Sequence, residues 1–138
     1  MPIEQCQLSQ IPMDSVRRIQ SLIYEGKTSI GQGRPGEAWQ WEGEDLKKEL
    51  DDLKNWMRTS GHEVLQCNVF HFTQNAQIVR NPQISQPATY LLIVINGVPA
   101  FRTGKQLLPN QAYYVDELPM LLGTDWDIVM AALAKGRP

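Results

Sequence analysis

Residues 88–104 read ATYLLIVINGVPAFRTG, and the reading of this stretch decides the fold. Tyr90, Leu91, Leu92, Ile93, Val94 and Ile95 are consecutive apolar residues, rich in β-branching. A short run of this kind, bounded by turn residues, reads as a strand covered on both faces. Asn96-Gly97 follows at once. This pair favours a type I′ hairpin turn, because both positions need positive φ. The pattern predicts that 98–102 returns antiparallel to the first strand. Pro99 cannot donate to a ladder, so the returning strand is expected at a sheet edge.

Working outward, Val16, Ile19 and Ile23 recur at helical spacing, with Leu22 widening the stripe. Pro12 suits a first helical turn and Gly26 a C-terminal stop, which predicts a helix over 12–25. Residues 1–11 read as an extended lead-in. Trp39 and Trp41 alternate around Gln40, which is strand spacing and puts both indoles on one face. A short hairpin of 27–32 with 38–42 is expected there. Leu46, Leu50, Leu53 and Met57 form a strict stripe over 44–59, with acidic residues in the first turn and Arg58 in the last, as the helix dipole favours.

Residues 64–72 alternate as a strand, with Leu65, Cys67, Val69 and His71 expected to share one face. Shorter strands are expected at 76–80 and 112–115, and a proline-bearing loop at 81–87. Residues 118–122 read as an exposed apolar loop or a single helical turn. Val129, Ala132 and Leu133 suggest a last helix over 125–135, capped by Thr124. Strands cluster instead of alternating with helices. The expectation is one α+β domain spanning 1–138: an antiparallel sheet of three to five strands packed with two or three helices.

The chain has 138 residues, a net charge of −2, 42% hydrophobic and 20% charged residues. That length can bury a core without staples. The charge leaves no electrostatic footprint for nucleic acid or an anionic membrane. No apolar run approaches the ~20 residues that span a bilayer. The N-terminus has no basic region leading an apolar core, so no secretory signal is expected. Cys6 and Cys67 lack metal-ligand spacing, and two thiols point to a reducing compartment, the cytoplasm, with no disulfide between them.

Motifs add little chemistry. Residues 31–36 spell G-x-G-x-x-G, but Pro35 removes a donor and no helix opens on the loop, so a glycine turn is the better reading. Gly26-Lys27-Thr28 lacks the upstream glycine of a phosphate loop. His62-Glu63 begins like a zinc-protease helix, but Gln66 stands where the second histidine belongs. No catalytic residue, cofactor site or metal site is expected.

Residues 14–60 resemble the phage head-completion proteins of the lambda W type. The likeness lies in Gly26-Lys27, the glycine loop, and Asp45-Leu46-Lys47-Lys48. It implies a head–tail structural component. As a small, acidic, Gln-rich α+β chain, the protein is also similar to accessory assembly factors of cyanobacterial carboxysomes, which would imply a shell-protein partner.

The leading expectation is a non-enzymatic adaptor or assembly chaperone. It would capture a segment of another protein by strand addition or in an aromatic groove. The expected contact residues are Trp39, Trp41, Arg34, Val98, Pro99, Phe101, Arg102, Leu118 and Met120. The same edge would serve a homodimer. The alternative class is a small enzyme or anion binder, using the 31–36 loop with Arg34 and Lys27 as an anion site and Asp116, Glu117 or His71 as acid–base groups.

Overall fold

The computed structural model describes residues 3–5, 12–34, 38–77, 84, 86–108, 111–116 and 119–134, with backbone alone at 3–5 and 32–34. The elements are β1 (Ile3–Gln5), α1 (Met13–Tyr24), β2 (Ser29–Arg34), β3 (Ala38–Glu42), α2 (Glu44–Thr59), β4 (Val64–Phe72), β5 (Ala76–Gln77), β6 (Ala88–Asn96), β7 (Ala100–Phe101), β8 (Ala112–Val115), β9 (Met120–Leu122) and β10 (Trp126–Ala134). Seven strands form one sheet in the order β1-β8-β6-β10-β4-β3-β2, and β5-β9-β7 form a second. All recorded pairings are antiparallel. From β4 onward successive strands alternate between the two sheets, the winding of a jelly roll. The α+β class stands, with more strands and one helix fewer than the upper expectation.

Two cores lie on opposite faces of the large sheet. On one face, Val16, Ile19, Leu46, Leu50, Leu53 and Met57 of the helices pack on Leu91, Ile93, Val129 and Ala131. Their spacing is that of the two predicted stripes, and burying each such side chain stabilises by ~1.5–3 kcal/mol. The other face closes on the small sheet, around Leu92, Val94, Tyr113, Trp126 and Ile128 with Phe101 and Leu121. The run at β6 feeds both cores, because its alternate residues face opposite ways.

Three expectations are corrected. First, no hairpin returns from Asn96-Gly97. β6 pairs with β10 and β8, while β7 crosses to the small sheet and pairs with β9. Gly97 has φ +86°, but Asn96 stays in strand conformation, so the turn is not type I′. Second, the expected helix over 125–135 is the strand β10, whose residues are buried on both faces between β6 and β4. Third, the expected exposed loop at 118–122 contains β9, with Leu121 fully buried.

A smaller correction concerns β4. A register shift opposite Ala132 and Leu133 turns Leu65 toward the small sheet, while Val64, Cys67 and Val69 face the helices. The end of the predicted 76–80 strand, Cys6, Glu117, Leu118 and the side chain of Arg34 lie outside the described residues. Among those described, no helix is long and apolar enough to cross a membrane.

Candidate functional site

Four adjacent strands each place one side chain in a single row. Trp39 on β3 pairs with His71 on β4, His71 with Asp127 on β10, and Asp127 with Asn96 on β6. Parity puts this row on the helix-covered face, since Val69 and Val129, each two residues away, belong to that core.

Asp127 is the centre. Its Oδ1 accepts from Trp41 Nε1 at 2.7 Å and from His71 Nδ1 at 2.9 Å, and its Oδ2 accepts from Asn96 Nδ2 at 3.2 Å. Only 5% of the residue is exposed. A buried carboxylate is tolerable only with such hydrogen bonds, because nothing else replaces its hydration. An ionised carboxylate accepts and never donates, so the His71 proton in this pair sits on Nδ1.

That leaves Nε2 as the free end of the ring. It faces Asp125 Oδ1 at 3.5 Å, and the Asp125 side chain is 78% exposed. Trp39 stacks on the imidazole, with ring centroids 4.4 Å apart and planes 19° apart. Trp41 meets Trp39 edge-on at 5.4 Å. The Trp39 indole N–H is buried without a hydrogen-bond partner among the described residues.

Backbone geometry holds Asp125 in place. It is the one described non-glycine residue with positive φ, at 50°, a conformation that costs an L-residue energy and often marks a functional position. Its N–H donates to the Thr73 carbonyl. Gly97 allows the close approach, since a Cβ there would lie 2.7 Å from Trp126 Cβ and 3.0 Å from the Asp125 carbonyl oxygen.

The expected contact residues are dispersed. Trp39 and Trp41 do share a face, half-buried beside His71. Pro99 and Phe101 are buried, so neither is an open edge; the Pro99 carbonyl accepts from Leu107 N–H. Val98 and Arg102 are exposed, and Met120 is half-buried. Of the alternative acid–base groups, His71 is in the row. Asp116 follows β8 near the start of β6, where Thr89 Oγ1 donates to it, and the row crosses β6 at its far end. Lys27 pairs with Glu25, and the 31–34 backbone is strand, which is no anion cradle. The helix expected over 125–135 would put Asp125 and Asp127 in its first turn; in the strand that forms instead, Asp127 meets His71, 56 residues away in sequence.

The sequence matches no protein-family model, and no curated protein matches it. Solved structures do resemble the fold. A prolyl-4-hydroxylase from Pseudomonas putida aligns with a TM-score of 0.54, covering 97% of this chain and 93% of that one at 12% identity. The viral collagen prolyl hydroxylase of Paramecium Bursaria Chlorella virus-1, solved as a 2OG complex, covers 96% of each chain at 8% identity and a TM-score of 0.47. The first likeness shows the fold, and it is an enzyme's fold, matched nearly end to end. This overturns the expectation of a non-enzymatic adaptor, assembly factor or chaperone. The signals behind that expectation have internal explanations: Pro99 and Phe101 are packed, and the apolar residues at 120–122 form a strand of the small sheet.

Proposed function

We propose that this chain is a small enzyme on the prolyl-hydroxylase fold whose acid–base group is His71, oriented by Asp127 and faced by Asp125. The observation that carries the reading is the 2.9 Å contact between Nδ1 and a nearly buried carboxylate, with Nε2 turned toward an exposed one. A carboxylate on Nδ1 sets the tautomer and stabilises the imidazolium that forms when Nε2 takes a proton. Nε2 then acts as the base on a water or a substrate O–H, and returns the proton as the acid. A positioned group of this kind contributes ~10²–10⁴-fold in rate. Trp39 supplies a flat wall over the ring. The cytoplasm fits the cysteine usage, with Cys67 a free, buried thiol.

The test is hydrolysis of a panel of 4-nitrophenyl esters and phosphates by the parent protein, His71→Gln, Asp127→Asn and, as a control, Asp116→Asn. The expected result is a parent rate lowered ~10²–10⁴-fold in the first two variants and kept in the third. A parent rate no faster than that of folded His71→Gln sinks the reading.

A further inference from the structure

Prolyl hydroxylation is oxygenase chemistry, and non-haem iron oxygenases hold their metal with two histidines and one carboxylate on one face of the ion. The likeness of fold therefore raises a question for the space between the two sheets: do its residues fit such an ion? They do not. The side chains gathered there include Tyr90, Leu92, Val94, Phe101, Leu121 and Trp126. Phe72 stacks on Trp126 at 4.6 Å and Phe101 meets Tyr113 edge-on at 5.9 Å, so rings fill the interior. The Trp126 indole N–H is buried there without a partner among the described residues, and an indole nitrogen is a donor only, with no lone pair for a metal.

The donor count decides the matter. The whole chain has two histidines, both among the described residues. His71 lies on the helix-covered face, held by Asp127. His62 lies beyond the other end of β4, beside Tyr114. Nine residues of extended chain separate the two by roughly 30 Å. The segments outside the description hold no further histidine. Asp127 is the one buried carboxylate among the described residues, and it too faces the helices. Nor does any described group of three or more His, Cys, Asp or Glu side chains have a metal-holding arrangement. An ion placed among these side chains would lose its hydration without gaining an imidazole or carboxylate ligand from the described residues.

We infer that the space between the sheets holds no iron, so that this chain has the hydroxylase fold without the hydroxylase metal site. The inference rests on the residues between the sheets and stands apart from the acid–base reading of His71. Its test uses Mn(II) as a redox-quiet substitute for iron, with 2-oxoglutarate present, on the full chain labelled at its Leu and Val methyl groups. At equimolar Mn(II), the methyl resonances of Leu92, Val94 and Leu121 should keep their linewidths. Paramagnetic broadening confined to residues near His71 or the surface also supports the inference, because it puts any metal outside the core. Broadening of Leu92, Val94 and Leu121 together, with a melting temperature raised by Fe(II) under anaerobic conditions, overturns it.

Discussion

His71 and Asp127 face each other across the β4–β10 pairing, and the Nδ1–Oδ1 hydrogen bond between them is 2.9 Å long. The pair sits in the middle of a wide sheet, where neighbouring strands limit both backbones. Trp41 and Asn96 hold the same carboxylate from β3 and β6. The carboxylate therefore ties four strands together on one face, as well as orienting an imidazole.

Asp127→Asn tests that tie. The amide has one acceptor atom where the carboxylate had two, so at least one donor among Trp41, His71 and Asn96 loses its partner. Leaving a buried polar group unpaired costs ~1–3 kcal/mol. The variant should fold with a urea midpoint lowered by that amount, and nitrogen NMR of the ring should show the His71 tautomer no longer fixed at Nδ1. An unchanged midpoint with an unchanged tautomer would mean that Asp127 does not orient the ring.

Gly97 and Gly104 form a natural comparison. Both have positive φ, at +86° and +94°. A Cβ at Gly104 meets nothing within 4 Å, whereas at Gly97 it would lie 2.7 Å from Trp126 Cβ and 2.9 Å from Trp126 Cα. Gly104→Ala should cost only the conformational term, ~1–2 kcal/mol. Gly97→Ala carries the same term plus a collision with backbone, and its denaturation midpoint should fall clearly further. Equal losses would refute the close packing of the 96–97 turn against the start of β10.

Part of this was legible in the sequence, for reasons specific to each element. The Leu46, Leu50, Leu53, Met57 stripe gives α2 its true bounds because one face is wet and the other dry. The β6 run is legible because six apolar residues sit between turn residues. β10 is the opposite case. Nearly every residue from Trp126 to Ala134 is apolar, so its strand alternation is hidden, and Ala131, Ala132 and Ala134 favour a helix when taken alone. Position between β6 and β4 overrides that preference. The His71–Asp127 pair has no local signal, because register across two strands joins them. The one available hint is parity: each stands two residues from a core valine on its own strand.

Apolar contact, more than charge, should hold the helices together. Arg18 donates from Nε to Glu49 at 2.8 Å across α1 and α2, but the Arg18 side chain is largely solvated. Exposed pairs of this kind contribute little. Ile19, one residue on, is fully buried against α2 and the sheet. Ile19→Ala should cost ~2–5 kcal/mol in chemical denaturation. Arg18→Ala should leave the midpoint unchanged within error. The reverse order would show the ion pair to be the main tie.

Burial pushes the Cys67 thiol up to about 12. The ordinary value is 9.0, so an unfolded chain releases this proton at a pH where the folded one still holds it. The contribution to stability is full below about 9 and is lost as pH rises from there toward 12. In a Cys6→Ser background, the midpoint should therefore fall more steeply above pH 9 than in the same background with Cys67→Ala. The native thiol should also react slowly with a disulfide reagent at about pH 8 and rapidly once unfolded, as buried thiols do. Fast native reaction would place Cys67 at the surface.

Asp125 offers the sharpest separation of stability from function. Its φ of 50° is the left-handed region, which costs an L-residue ~1–2 kcal/mol and glycine nothing. Asp125→Gly removes that strain, although the freer unfolded chain offsets part of the gain. The folded variant should be as stable as the parent or up to ~1 kcal/mol more so. It also removes the carboxylate that faces His71 Nε2 at 3.5 Å. If that carboxylate takes part in proton transfer, hydrolysis should fall while stability holds. Asp125→Asn, which tolerates the same backbone, should show the same loss. Activity kept in both variants would assign Asp125 to the turn alone and leave His71 to act with Asp127.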